Sequence, residues 1–183
     1  MITTIIVIAV VAVLVLWVIS VQRKLVSAEE IVKNAMSQIG VQQSSRWDAL
    51  TGMVELIKSY NEHEYNTLRD VIAQRRTIDG NSTAEEADAQ ENLMGQVAAR
   101  LNVVVEKYPE LKANENYATA MEAVDRYTNM VRTSKMVFND TATKYNKLIR
   151  QIPDSIVASL FGFSVRDYLK IEDKKADMPS LKI

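Results

Sequence analysis

Residues 39–52 read IGVQQSSRWDALTG, and the path of the chain through them decides the fold. Before them, Leu25, Ala28, Val32, Ala35 and Ile39 fall three and four apart, with Ile31 and Met36 beside them, as on one face of a helix. After them, Leu50, Val54, Ile57, Asn61, Leu68 and Val71 form a second stripe that closes near Asp79-Gly80. Between the stripes stand Gly40 and the polar run Gln42-Gln43-Ser44-Ser45. Ser45, with Asp48 three residues later, has the form of a helix start. Two readings follow. Either the stretch reverses the chain between two antiparallel helices, or it kinks one long helix. The first is the expectation here.

Toward the N-terminus, residues 2–21 read ITTIIVIAVVAVLVLWVISV and carry no charged side chain. About twenty helical residues cross a bilayer. A cleaved signal would begin with a positive region, have a shorter apolar core and end in small residues. Here no Lys or Arg precedes the run, and Trp17-Val18-Ile19 occupies its distal end. Residues 2–21 therefore read as an uncleaved transmembrane anchor, with Trp17 as an interfacial aromatic. Arg23, Lys24 and Lys33 follow the span, which places the N-terminus outside and the rest in the cytoplasm.

Toward the C-terminus, Asp79-Gly80-Asn81-Ser82-Thr83 is a turn, and Ser82 or Thr83 can form a capping box with Glu85 or Glu86. A third helix carries Leu93, Val97, Leu101, Val104 and Tyr108 on one face. EKYPELKAN, residues 106–114, forms a corner, with Pro109 ending one helix and Asn114 capping the next. The strongest periodicity follows: Tyr117, Met121, Val124, Thr128, Val131, Lys135, Phe138, Ala142, Tyr145, Ile149 and Ile152. Such a seam marks a helix packed at small angles against others. Thr128 and Lys135 interrupt it. Threonine is expected to bond back to its own helix and lysine to snorkel, with a buried polar layer as the alternative. Pro153 ends the helix, SIVASLFGF (155–163) leaves several apolar side chains near its end, and residues 169–183 read as a flexible charged tail.

Composition narrows the chemistry. The 183 residues hold 22 Lys plus Arg and 23 Asp plus Glu, no cysteine, five glycines and three prolines. Balanced charge gives no general attraction for nucleic acid, and few helix breakers favour an all-α chain. A di-iron bundle needs two Glu-x-x-His motifs. The one histidine, His63, follows Tyr60 by three residues and sits among polar neighbours, so it reads as solvated. No phosphate loop, nucleophile elbow or zinc spacing is present in the sequence. Tyr60-Asn61, Tyr65-Asn66 and Tyr145-Asn146 recur as pairs, with Phe138-Asn139 one heptad before the last. The aromatic suits a helix seam, and the asparagine can bond across helices or to a loop carbonyl.

VVEKYPELKAN (104–114), YNKLIRQIP (145–153) and LFGF (160–163), at this spacing behind a single anchor, resemble the LemA family over about residues 2 to 170. The family pattern near residue 46 is a pair of arginines followed by Asp-Leu-x-Pro-Asn; here Arg46 and Asp48 remain, and the proline and asparagine do not. The resemblance implies a small bacterial inner-membrane protein with an antiparallel up-and-down four-helix bundle of long helices. The expected parts are anchor 2–21, bundle 22–168 and tail 169–183. The membrane-interface candidates are Trp17, Arg23, Lys24, Phe161 and Phe163. The seam candidates are Tyr117, Val124, Val131, Phe138 and Tyr145. No catalytic residue, cofactor, metal or small-molecule substrate is expected. The expected role is a non-enzymatic, self-associating scaffold or adaptor; the alternatives are a protein that shapes or maintains the membrane envelope by lipid contact, and an enzyme whose site is not recognisable in the sequence. Its expected partners are the bilayer, a second copy and other membrane proteins.

Overall fold

The structure is a computed structural model, and it describes residues 1–171. The described residues are helical almost throughout: α1 (Ile2–Ile57), α2 (Glu62–Ile72), α3 (Ala84–Lys107), α4 (Pro109–Lys112), α5 (Glu115–Arg150) and α6 (Asp154–Leu160). The all-helical expectation holds. The reversal at residues 39–52 does not, because α1 passes through them unbroken and the chain turns back at Lys58–Asn61 instead.

The polar letters that suggested a break have another purpose. Residues 73–83 are not helical and cross α1 at this level. Arg75 donates to Asp48 at 2.6 Å and to the Ser44 hydroxyl at 2.7 Å, so Asp48 anchors a crossing chain rather than starting a helix. Ser45 bonds back to the Val41 carbonyl at 3.2 Å, as a serine inside a helix does. Gly40 is glycine because a Cβ there would run into the Ile78 carbonyl. Glycine costs a helix interior about 1 kcal/mol, and here it admits a neighbouring backbone. Gly40→Ala is accordingly expected to destabilise the fold by about 2 kcal/mol despite the better helix former. A thermal melt that rose or stayed level would refute this contact.

The remaining boundaries follow local rules. Asn61 caps α2 by accepting from the Glu64 amide at 3.0 Å. Thr83 and Glu86 form the reciprocal capping box of α3. Asn114 caps α5 by accepting from the amides of Asn116 and Tyr117. α6 ends with Gly162 at φ 76° and the Phe163 amide bonded back to the Ala158 carbonyl at 3.0 Å. That is a Schellman stop, so the Phe161-Gly162-Phe163 signature is a helix terminator that carries Phe163 back onto the core.

Two apolar clusters form the interior. One joins the 21–39 part of α1 to Ile78, Ala84, Ala87, the 138–149 part of α5, Val157, Ala158 and Leu169. The other joins the 47–57 part of α1 to Tyr65, Leu68, the 94–104 part of α3, Leu111, Tyr117 and Val124. α5 therefore runs opposite to α1, and α3 runs alongside it. The 106–114 corner lies at the end away from the apolar segment, where Tyr108 meets Tyr60, ring centroids 6.1 Å apart, and accepts from Asn61. α6 lies at the other end, where Lys24 pairs with Asp154 at 2.7 Å.

Candidate functional site

Between the two clusters the interior is polar. Gln43, Arg46, Gln90 and Lys135 are all buried at this level, contributed by α1, α3 and α5. Lys135 does not snorkel, which corrects the sequence expectation. It is 4 % exposed, pairs with Asp88 at 2.8 Å and with Glu91, and donates to the Lys170 carbonyl at 2.8 Å. Burial opposes its charge, but the bonds and fields of Asp88 and Glu91 together hold its ammonium above the ordinary lysine value. Thr128, one heptad before, bonds back to the Val124 carbonyl at 2.7 Å as expected. Gln43 donates to the Ala87 carbonyl at 2.9 Å.

Arg46 is the exception in this belt. It is 7 % exposed, and its guanidinium makes no hydrogen bond or ion pair among the described residues. Burial pushes it below the ordinary arginine value, against the raising fields of Glu91 and Asp125. It forms the floor of an open groove of about 500 Å³ whose walls are Glu91, Asn92, Gly95, Ala98 and Asn102 of α3 and Met121, Val124, Asp125 and Thr128 of α5.

Below the belt, the chain after α6 runs extended along α5. Asn146 donates to the Arg166 carbonyl at 2.8 Å and accepts from the Arg166 amide at 2.9 Å. Asn139 does the same at Leu169, at 2.9 Å in both directions. The spacing explains the heptad repeat of the two asparagines. Seven helical residues rise about 10.5 Å, and three extended residues cover about 10 Å, so successive side-chain amides meet every third residue of the strap. Gln90 treats residues 74–76 alike, accepting from the Arg76 amide at 2.9 Å and donating to the Gln74 carbonyl. Arg166 also pairs with Glu29 at 2.6 Å. Leu169 is buried and the Lys170 backbone is held on both sides, so the strap extends to the start of the expected tail; the tail residues 172–183 lie outside the described residues.

A model of the LemA family matches residues 35–182. The chain belongs to the LemA family. The matched region takes in the belt, the groove and the strap, and begins beyond the apolar start of α1. No curated protein matches the chain. LemA is not a known enzyme family. Among the described residues of this LemA chain there is no group of three or more His, Cys, Asp or Glu able to hold a metal.

The candidates read from the sequence separate into two places. Tyr117, Val124, Val131, Phe138 and Tyr145 are all buried along α5. Trp17 and Phe163 pack against the lower cluster, Arg23 and Phe161 are exposed, and Lys24 holds Asp154. Asp88, Glu91 and Arg46 are not among those candidates. The first two look in sequence like any acid on a solvated helix, and Arg46 is marked there only by the broken family pattern around it.

Proposed function

We propose that this protein is a non-enzymatic, membrane-anchored scaffold or adaptor that self-associates. The observation that carries this reading is the unbroken course of α1, whose apolar start is long enough to cross a membrane and whose continuation is the central helix of both cores. No hinge separates anchor from domain. The part of α1 beyond the span, about 54 Å of helix, then holds binding surfaces at a set height above the bilayer. Arg23, Lys24 and Lys33 favour a cytoplasmic domain with the N-terminus outside the inner membrane, and the helix directions fit an up-and-down bundle. Crosslinking in native membranes with mass spectrometry tests the role. It should return links between copies and to other membrane proteins on the bundle; a strict monomer with no partner would sink the reading.

A second reading, direct lipid contact, is favoured by α6. Val157 and Ala158 face inward, while Ile152, Ile156, Leu160 and Phe161 are more than half exposed. The Lys24–Asp154 pair holds this patch beside the end of the span, where apolar and aromatic side chains partition into the interface. The chain has no native cysteine, so a polarity-sensitive fluorophore can be placed on Phe161→Cys alone. In liposomes its emission should shift to the blue and be quenched by a lipid-borne quencher, unlike a label on Asp140→Cys. Identical, water-like emission from both would remove the patch as a lipid contact.

A further inference from the structure

α3 and α5 both lie on α1 but scarcely touch one another, which leaves a gap between them. Near the anchor the gap is filled by this chain's own strap: at Lys170 the backbone is held between Asp88 of α3, at 3.2 Å, and Lys135 of α5. Beyond Lys135 the same gap continues as the open groove over Arg46. We propose that this groove binds an extended segment of a partner polypeptide, with one carboxylate seated on Arg46. The proposal rests on the scaffold reading and gives the partner its chemistry.

Three features support this occupant. The first is the guanidinium itself. Arg46 lies buried at the floor of the groove with no hydrogen bond or ion pair among the described residues, while Lys135 takes both Asp88 and Glu91. A carboxylate is the group that satisfies a guanidinium in two places at once. Glu91 and Asp125 line the groove beside it, which limits the occupant to a single acid. The second is shape. The open groove continues the gap that already holds an extended chain, and Asn92 and Asn102 line it as further amide side chains of the kind that grip the strap. The third is Gly95. A Cβ there meets nothing within 4 Å, so packing inside the molecule does not call for glycine in the middle of α3. Its bare backbone widens the groove instead, beside the apolar Ala98, Met121 and Val124.

Fluorescence anisotropy with the full chain in detergent tests the proposal. The probe is a fluorescein-labelled heptapeptide, acetyl-Val-Thr-Val-Glu-Val-Thr-Val, compared with the same peptide carrying glutamine at its centre. The glutamate peptide should bind saturably, and the glutamine peptide roughly tenfold or more weakly. Arg46→Met should abolish that discrimination. Gly95→Leu, which favours the helix and fills the groove, should remove binding of both peptides from a folded protein. Equal binding of the two peptides, binding that survives Gly95→Leu, or no binding at all would overturn the proposal. So would binding that appears only once residues 172–183 are removed, since the chain's own end would then be the occupant. The titration needs no native partner, so a failed crosslinking search and a failed groove give different results.

Discussion

Replacing Lys135 by methionine is expected to lower the unfolding free energy by about 3 kcal/mol, the low end of the cost of breaking a buried ion pair. Methionine keeps the length and the apolar stem, so packing is conserved while the charge is lost. Asp88 and Glu91, with side chains 19 % and 29 % exposed, then face each other without the cation that both share, and the Lys170 carbonyl loses its donor. Their partial access to water keeps the loss at the low end. Urea unfolding followed by helical circular dichroism measures it. Adding Asp88→Asn and Glu91→Gln should restore most of the loss; a single variant within about 0.5 kcal/mol of the parent would show the belt to be inert. The pH dependence has a definite sign. Because the folded lysine titrates above its ordinary value, its stabilisation is complete below the ordinary lysine pKa and fades only as pH rises through the folded value. The gap between parent and variant should therefore be flat across neutral pH and shrink as pH rises through that folded value.

The double change Asn139→Ala with Asn146→Ala is expected to free the strap without unfolding the helices. Four hydrogen bonds are lost, each worth about 1 kcal/mol net, and the amides of Arg166 and Leu169 lose their acceptors. Hydrogen exchange over residues 162–171 should quicken by about a hundredfold or more, while α1 and α5 keep their protection. Trypsin should cut after Arg166, which keeps its side-chain pair with Glu29 but loses the hold on its backbone. Asn129→Ala, at an exposed position on α5, is the control. Unchanged exchange over the strap would mean that the two asparagines do not hold it.

Much of the fold is legible in the sequence because its signals are local. The capping box at Thr83, the cap at Asn114, the seam of α5 and the apolar span each need only a few neighbouring residues. The stretch 39–52 misleads for the same reason. Glycine followed by glutamines and serines looks like a helix end when read along the chain. Here those residues meet Ile78, Arg75 and Ala87, which arrive from thirty or more positions away. Lys135 likewise looks like a snorkelling defect in an apolar seam, since nothing near it in sequence announces Asp88 and Glu91. The asparagines of Phe138-Asn139 and Tyr145-Asn146 stand out as a repeat, and what they grip becomes visible only with the strap beside them.

By itself, the sequence determined the all-helical class, the caps at Thr83 and Asn114, the seam of α5, an apolar start long enough to cross a membrane and membership of the LemA family, because hydrophobic period, capping and hydropathy are short-range properties. The tertiary structure alone decided that α1 runs unbroken from span to summit, that a charged belt divides the core, and that Arg46 is left unbonded at the floor of a groove. Those outcomes depend on which distant groups can satisfy a buried charge or admit a passing backbone, and that is settled only when the chain folds.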